Sequence, residues 1–148
     1  DSRVLVYDPY KTVEEKGIEQ VDNLEYLLKE SDVVAIHVHV TEDTIGMINK
    51  TCFNVMKRDV VLVNTSRGDI VNEINLVDFL QSNPEARIAT DVLADEIKNR
   101  MSSPLLKYAL ESEQVIITPH IGGMCREAQE IAYGHAATRL LIFIKEGE

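Results

Sequence analysis

Three short polar motifs in this chain of 148 residues carry side chains suited to acid–base chemistry on an anion. They lie at residues 64–68, 91–96 and 118–123. Arg67 presents a planar guanidinium fork that matches a carboxylate. His120 carries an imidazole, which donates or accepts a proton near neutral pH, and Glu96 supplies a carboxylate. A cation, a carboxylate and an imidazole in one cleft predict a site that binds an anionic substrate and moves a proton.

Each motif follows directly on an apolar run that is typical of a buried strand. The runs lie at residues 60–63, 86–89 and 115–117. Because the carboxyl ends of parallel strands meet at one edge of an open sheet, and ligands bind there, we expect the three motifs to converge on one crevice.

Simpler explanations exist for each of these residues. Arg67 could make a surface ion pair, although the end of a central strand is where clefts form, and Gly68 allows close approach of a ligand. A lone histidine such as His120 is more often a loop residue with its hydrogen bonds satisfied. Glu96 is a candidate partner that would favour the charged form of His120. The spacing of the two residues does not establish that Glu96 reaches it.

A second set of candidate residues follows other predicted strands. Asp8 ends the run at residues 4–7, where a dinucleotide-binding sheet places the carboxylate that accepts hydrogen bonds from a ribose. A carboxylate at that position favours NAD over NADP, but Asp8-Pro9 taken alone is more typical of a strand-ending turn. His37 and His39 follow another strand and could line the cofactor cleft. His135 lies inside the last helix, where a structural or surface role is favoured.

The periodicity of apolar residues predicts alternating strands and helices. Strands are predicted at 4–7, 33–38, 60–64, 87–91 and 114–118, and helices at 23–30, 49–56, 72–83 and 126–145, with residues 96–113 irregular apart from a helical turn near Leu105. The strands are uniformly apolar, which is typical of a sheet covered on both faces. We therefore predict a single α/β domain with a doubly wound parallel sheet of the Rossmann type.

Composition excludes several classes of partner. The formal net charge is −10 and the basic residues are scattered, which argues against nucleic acid and anionic membranes. No apolar run approaches the ~20 residues that span a bilayer, and no secretory leader is seen. The two cysteines, Cys52 and Cys125, have no metal-ligand spacing, so no metal site is expected. Free thiols predict a reducing compartment, and we expect a cytoplasmic location.

The motifs resemble the nucleotide-binding domain of the D-isomer-specific 2-hydroxyacid dehydrogenases. The matching segments are residues 31–34, 37–41 with Thr44, 56–57, 64–68 with Val71 and Glu73, 91–92, 104–105, and 118–123 with Glu127 and Ala128. The arginine and histidine motifs together make the resemblance specific. It implies an oxidoreductase that transfers a hydride between NAD and a small D-2-hydroxy acid or its 2-oxo form.

The resemblance also implies roles for individual residues. Arg67 would bind the substrate carboxylate and carbonyl, His120 would donate the proton to the 2-oxo group, and Glu96 would be its acidic partner. Asp91 would contact the nicotinamide carboxamide and Asp8 the ribose. The implied cofactor-binding set is Asp8, His37, Val38, His39, Thr44, Thr65, Ser66, Arg67, Asp91, His120, Gly122 and Gly123.

The chain contains no G-x-G-x-x-G motif. Since such a motif lies about 20 residues before the ribose carboxylate, we expect the first strand and the glycine-rich loop to lie upstream of Asp1. Residues 1–148 are then a partial NAD-binding domain without a substrate domain, with weak NAD binding and little activity in isolation. In the strand order 3-2-1-4-5-6 the missing strand is central.

Three outcomes are predicted for that gap in the sheet. The strands that end near Asp8 and His37 pair directly, another chain supplies their shared neighbour, or the exposed edge drives formation of a homodimer. A non-catalytic nucleotide-binding or oligomerisation module derived from the same family is the alternative to an enzyme. The presence of Arg67, Glu96 and His120 together argues against that alternative.

Overall fold

The computed structural model describes residues 2–146. The strands are β1 (Val4–Val6), β2 (Ile18–Gln20), β3 (Val33–Ile36), β4 (Val61–Asn64), β5 (Arg87–Thr90) and β6 (Val115–Ile117). The helices are α1 (Leu24–Glu30), α2 (Lys50–Val55), α3 (Glu73–Ser82), α4 (Glu96–Asn99), α5 (Pro104–Ala109) and α6 (Arg126–Glu146), with 3₁₀ turns at Gly68–Ile70 and Arg100–Ser102. The chain divides into two compact units, Asp1–Ile117 and Thr118–Glu148.

All strand pairs in the first unit are parallel, as predicted for an α/β fold. They form a two-stranded sheet, β1-β2, and a four-stranded sheet with the order β3-β4-β5-β6. In the larger sheet Val34 pairs with Leu62, which pairs with Ile88. Helices alternate with these strands along the chain, and this alternation requires crossover connections.

The predicted direct pairing of the strands near Asp8 and His37 is wrong. Within the part of the chain that the structure describes, β1 is hydrogen-bonded to β2 alone and β3 to β4 alone. β2 pairs with one edge of β1, where Val4 lies opposite Ile18, and satisfies the backbone hydrogen-bonding groups there. No described strand pairs with the other edge of β1. Both β1 and β3 therefore end their sheets with an open edge.

One face of the four-stranded sheet carries the hydrophobic core. Along β3 and β4 burial alternates, so that Val34 and Leu62 are buried while Val33 is 60% exposed. Phe53 of α2 and Phe79 of α3 stack in the helical layer, with ring centroids 5.3 Å apart. The core residues are Leu28, Val34, Ile36, Ile48, Phe53, Met56, Val60, Leu62, Ile70, Val71, Leu76, Leu80, Ala86, Ile88, Leu93 and Leu105.

Polar side chains define the starts of the helices. Asn23 and Asn72 accept hydrogen bonds from backbone amides in the first turns of α1 and α3, and Asn49 does the same for α2. Ser103 caps α5, in which Pro104 occupies the first turn. The predicted helices at 23–30, 49–56 and 72–83 agree with the observed helices within two residues.

The structure also contains elements that the sequence pattern did not predict. The strand β2 has three residues and only one of them, Ile18, is apolar, so pairing with β1 rather than local pattern makes it a strand. The segment at 96–113 is more regular than expected, since it contains α4 and α5. The strand β3 ends at Ile36, so His37 and Val38 lie in the following loop.

The second unit, as far as it is described, consists of the turn after residue 117 and α6. The helix has 21 residues and matches the predicted helix at 126–145. Apolar side chains such as Ile131, Leu140 and Phe143 are exposed along it. Among the described residues, no helix combines the length and the apolar character that a membrane span needs.

Candidate active site

Asn64 shapes the loop that carries Arg67. Its side chain lies at the carboxyl end of β4 and is 2% exposed. Its Nδ2 donates to the carbonyl oxygen of Arg67 at 2.9 Å, and its Oδ1 accepts from the backbone amide of Ser66 at 3.1 Å. Because the buried side-chain amide of Asn64 forms hydrogen bonds with the backbone of both Ser66 and Arg67, it holds this loop in one conformation. The guanidinium of Arg67 is exposed, and its Nη1 donates to the carbonyl oxygen of Ser66 at 2.7 Å.

Ser66 joins this loop to the neighbouring strand. Its hydroxyl donates to the carbonyl oxygen of Ile36, the last residue of β3, at 2.8 Å. A cleft of about 450 Å³ lies beside this contact. It is lined by His37, Val38, His39, Val40, Ser66 and Arg67. The structure thus brings five of the predicted cofactor-binding residues together at the carboxyl ends of β3 and β4.

Thr44 stabilises the loop that lines one side of this cleft. Its Oγ1 accepts a hydrogen bond from the amide of Thr41 at 2.7 Å and donates to the carbonyl oxygen of His39 at 2.7 Å. It is not among the residues that line the cleft. Thr65, another predicted contact, is exposed between Asn64 and Ser66 and is also not a lining residue.

The arginine loop packs closely against the acidic motif at 91–96. The backbone amide of Asp91 donates to the carbonyl oxygen of Asn64 at 3.0 Å, and Asp91 is buried. A Cβ added to Gly68 would lie 1.9 Å from the carbonyl carbon of Leu93. Only glycine allows this approach, so the residue after Arg67 fixes the distance between the two loops.

Glu96 is the first residue of α4 and is half-buried. Its Oε2 accepts a hydrogen bond from the backbone amide of Leu93 at 3.1 Å. The preceding residue, Asp95, has a φ of +52°, which is uncommon for a residue other than glycine. The turn between Leu93 and Glu96 is therefore held by the glutamate side chain itself.

Asp8 lies two residues beyond the end of β1, beside a second cavity of about 410 Å³. Its Oδ1 accepts from the amides of Tyr10 and Lys11 at 2.8 Å and 3.1 Å. The strand-ending turn is thus present. In the described part of the chain these hydrogen bonds involve Oδ1 alone, so Oδ2 remains as an acceptor that fits a ribose hydroxyl.

His120, Gly122 and Gly123 belong to the second unit. The amide of His120 donates to the carbonyl oxygen of Thr118 at 3.0 Å, and the side chain is half-buried. Its φ of +56° places it in the left-handed region, which the sequence did not predict for this position. His135 lies in α6 and is exposed, in agreement with a surface role.

The described residues contain no group of three or more His, Cys, Asp or Glu side chains that could hold a metal ion. The donor and acceptor groups that are present suit an organic ligand. A carboxylate at one strand end and a cleft lined by imidazoles, a hydroxyl and a guanidinium at another fit a nucleotide cofactor and an anionic substrate.

Sequence reasoning assigned no role to three residues that organise this region. Asn64 and Thr90 are buried polar residues at strand ends, and the hydroxyl of Thr90 lies 3.1 Å from the carbonyl oxygen of Asn64. Glu73 is a buried carboxylate at the start of α3. A polar residue directly after an apolar strand was a signal for Asn64 and Thr90. Nothing local indicated burial of Glu73.

The chain is similar in sequence to one protein family. Residues 1–122 match the family model described as "D-isomer specific 2-hydroxyacid dehydrogenase, NAD binding domain". A D-3-phosphoglycerate dehydrogenase from Archaeoglobus fulgidus is 39% identical over 132 residues, which cover 87% of this chain and 24% of the relative. A glyoxylate reductase from Korarchaeum cryptofilum is 37% identical over 99% of this chain and 43% of its own length.

Solved structures show the same similarity. A D-isomer specific 2-hydroxyacid dehydrogenase from Lactobacillus delbrueckii ssp. bulgaricus, in an NAD complexed form, superposes with a TM-score of 0.85 at 26% identity, over 99% of this chain and 47% of the other. A D-lactate dehydrogenase from Aquifex aeolicus, complexed with NAD and lactic acid, gives 0.79 at 33% identity, over 97% and 46%. The chain spans less than half the length of these relatives.

Proposed function

Because the chain belongs to the family of D-isomer specific 2-hydroxyacid dehydrogenases, through its NAD-binding domain, we propose that it forms part of an NAD-dependent oxidoreductase. The substrate class is a small D-2-hydroxy acid or its 2-oxo form. The observation that carries the proposal is the cleft in which Arg67 and Ser66 meet the loop of His37 and His39, at the carboxyl ends of β3 and β4. Residues 1–148 form a partial cofactor domain in this proposal, and the substrate domain lies outside them.

Arg67 binds the substrate in this proposal. Its guanidinium is exposed at the cleft, while its carbonyl oxygen is held by the buried amide of Asn64. A fixed backbone with an exposed guanidinium allows two parallel hydrogen bonds to a carboxylate and the adjoining carbonyl oxygen. Neutralising that oxygen as negative charge develops lowers the barrier to reduction.

His120 is the proposed proton donor to the substrate oxygen, and it accepts the proton in the reverse reaction. Glu96 is its proposed acidic partner, which stabilises the imidazolium. NAD supplies the hydride chemistry when it is bound. The residues of the chain therefore bind and orient the substrate and move one proton.

The remaining predicted residues are proposed to hold the cofactor. Asp8 accepts hydrogen bonds from the adenosine ribose through Oδ2, and Asp91 contacts the nicotinamide carboxamide. Further backbone and side-chain contacts are assigned to His37, Val38, His39, Thr44, Thr65, Ser66, Gly122 and Gly123. For Thr44 the support is indirect, because its hydroxyl orders the loop at His39 rather than lining the cleft.

Substitution of Arg67 tests the substrate role. NADH oxidation is followed with pyruvate, glyoxylate and hydroxypyruvate in the complete gene product that contains this chain. Arg67→Gln should raise KM for the 2-oxo acid about 10- to 100-fold, since charge-assisted hydrogen bonds contribute about 1.5–3 kcal/mol, and should weaken NADH binding less than substrate binding. Arg58→Gln, an exposed arginine away from the cleft, is the matched control. Equal behaviour of the two variants contradicts the proposal.

Substitution of His120 tests the proton transfer. Asn is the suitable replacement because it tolerates the positive φ of this residue. His120→Asn should lower kcat about 10²- to 10⁴-fold, the usual contribution of a positioned acid or base. His135→Asn, on the exposed part of α6, should retain the parent rate. Activity of His120→Asn near the parent rate would remove His120 from the mechanism.

The open edge of β3 supports a proposal about assembly. We propose that, in residues 1–148 by themselves, this edge takes a partner strand, either in a homodimer or from another chain, because an unpaired strand edge favours pairing. Light scattering after size exclusion tests it. Val33→Lys on β3 should shift any dimer toward monomer, whereas Ile116→Lys on β6 at the opposite edge should not. A monomeric parent chain at all concentrations contradicts the dimer.

The same open edges favour a second candidate function, a non-catalytic module that binds nucleotide or mediates oligomerisation. Calorimetry with NADH and the activity assay separate the two candidates. Binding or assembly without 2-oxo acid reduction, in the complete gene product, supports the module. A cytoplasmic location is also proposed, on the free cysteines, and cell fractionation with an antibody to the chain tests it.

A further inference from the structure

Glu73 has an environment that its position on a helix does not explain. It is the first residue of α3, yet it is only 6% exposed. Its Oε1 accepts from the amide of Ala94 at 2.8 Å. Its Oε2 accepts from the hydroxyl of Ser103 at 2.6 Å and from the amide of Leu105 at 3.4 Å. Three donors converge on one buried carboxylate, and together they offset the cost of removing it from water.

These contacts hold both ends of one segment. Ala94 begins and Ser103 ends a stretch that contains α4 and the following 3₁₀ turn. Between them every residue except the half-buried Glu96 is exposed, with Ile97 at 96% and Met101 at 70% of full exposure. A segment with so little buried surface has few contacts of its own to define its conformation. Its anchors on Glu73 therefore contribute a large part of its order.

The same segment carries the proposed acidic partner. The amide of Leu93 donates to Oε2 of Glu96, and the next amide along the chain, that of Ala94, donates to Oε1 of Glu73. The two glutamates are thus held by consecutive backbone amides. A movement of Ala94 away from Glu73 rotates the peptide group beside Leu93, and the hydrogen bond that orients Glu96 changes with it.

Glu73 also connects this segment to the arginine loop. It lies six residues after Arg67, and between them Gly68 packs against the backbone of Leu93 and Ala94. The arginine loop and the segment of Glu96 therefore meet at two places, the Gly68 contact and the Glu73 carboxylate. The Gly68 contact sets how closely the arginine loop and the segment of Glu96 approach each other. The Glu73 carboxylate fixes the position of Ala94 along their interface.

We propose that Glu73 is a positioning residue, which orients Glu96 relative to the arginine loop by binding the amide of Ala94 and the hydroxyl of Ser103. The proposal rests on the proposed function of Glu96. An acceptor with two oxygens is required, because each oxygen serves a different end of the segment. Gln provides one oxygen, and its NH₂ group faces a donor at the other position.

Amide hydrogen exchange tests the structural part without activity. Glu73→Gln should accelerate exchange of the Ala94, Leu93 and Leu105 amides at least tenfold, while amides within β4 and β5 keep their protection. Glu85→Gln, at an exposed glutamate before β5, is the matched control and should change none of them. Unchanged exchange at Ala94 in Glu73→Gln overturns the proposal.

A double-mutant cycle with Glu96 tests the positioning role in the complete gene product. Glu73→Gln should lower kcat about tenfold with KM for 2-oxo acid and NADH affinity within about twofold. Combined with Glu96→Gln it should add nothing to the loss of the single Glu96→Gln variant, since a residue that acts through another has no effect in its absence. Additive losses in kcat would show an independent structural role and overturn the proposal.

A second variant covers the case in which Glu73→Gln does not fold. Ser103→Ala removes one donor to Oε2 of Glu73 and leaves the Ala94 contact intact, and it also removes the acceptor that caps α5 at the amide of Leu106. Ser103→Asn keeps a capping acceptor and is the control for that second change. Ser103→Ala should accelerate exchange at Leu105 severalfold and spare Ala94, with a smaller loss in kcat. If the amide of Leu105 exchanges at the same rate in Ser103→Ala and in the parent protein, Glu73 does not anchor this end of the segment. If Glu96→Gln itself leaves kcat unchanged, the proposed function of Glu96 fails instead.

Discussion

The two sheets of the first unit are both built from short parallel strands but differ in how they are stabilised. In the four-stranded sheet, Leu62 and Ile88 lie next to each other in the core and are almost inaccessible. In the two-stranded sheet no residue of β1 or β2 is fully buried. The number of neighbouring elements, rather than the apolar character of the strand, decides how much surface each strand buries.

The difference extends to the polar contacts at the strand ends. Beyond β4 and β5, the buried Asn64 and Thr90 hold the loops of Arg67 and Asp91 through hydrogen bonds within the core. Beyond β1, the turn at Asp8 is held by exposed amides and by Gln20, whose Nε2 donates to the carbonyl oxygen of Asp8 at 3.1 Å. Hydrogen bonds shielded from water define a conformation more strictly than exposed ones. The proposed substrate site therefore lies on the more rigid of the two sheets.

The largest expected difference between the sheets concerns their leucines. Leu62→Ala should lower the free energy of unfolding by about 2–5 kcal/mol, because it removes buried methyl groups and leaves a cavity. Leu5→Ala on β1 makes the same chemical change at a half-buried position and should cost below about 1 kcal/mol. Urea unfolding followed by circular dichroism measures both. Equal costs would mean that the two sheets share one core.

Substitution of one glycine in each region distinguishes the energetic cost of steric overlap from the cost of backbone strain. Gly68→Ala should cost about 1–3 kcal/mol, since its Cβ overlaps the backbone of Leu93. Gly17, before β2, has a φ of +89° and open space around it, so Gly17→Ala should cost about 1 kcal/mol from strain. Asn tolerates positive φ, so Gly17→Asn should be milder than Gly17→Ala, whereas Gly68→Asn should not improve on Gly68→Ala.

A smaller effect is expected from removing one hydroxyl. Thr90→Val deletes a buried group that lies within hydrogen-bond distance of the carbonyl oxygens of Asn64 and Val92. It should cost about 1 kcal/mol, and the amide of Asp91 should exchange faster. Thr12→Val makes the same change at an exposed position near β1 and should stay within about 0.5 kcal/mol of the parent. If Thr90→Val left the free energy of unfolding unchanged, the loops at the end of the four-stranded sheet would be less rigid than argued above.

The smallest effect is expected at the ion pair of the two-stranded sheet. Arg3 makes two hydrogen bonds of 2.9 Å to Glu19, and its hydrogen bond to Tyr26 together with the Glu19 carboxylate raises the pKa of the guanidinium. Both side chains are about half exposed, so water and salt screen the attraction. Glu19→Gln should leave the urea midpoint unchanged within error, at low and at high salt. A clear decrease of the urea midpoint at low salt, with no decrease at high salt, would show that this ion pair stabilises the protein more than its exposure implies.

Much of the fold could be predicted from local sequence. The asparagines that cap α1, α2 and α3 precede apolar residues at helical spacing, and the strands of the larger sheet are apolar runs followed by polar residues. The contact between the motifs at 64–68 and 91–96, in which the amide of Asp91 donates to the carbonyl oxygen of Asn64, followed from the rule that parallel strands end at one edge. Convergence of the motif at 118–123 with them stays a prediction. These features depend on residue type and short spacing, so the sequence alone contains them.

Other features depend on contacts between residues that are distant along the chain. β2 is a strand because it pairs with β1. Position 68 must be glycine because the backbone of Leu93 lies against it. Glu73 can be buried because Ala94 and Ser103 donate hydrogen bonds to its carboxylate. The sequence by itself determined which side chains are available for chemistry and which strands present them. The tertiary structure decided how closely the loops approach, because packing distances are set by the surrounding core and not by local preference.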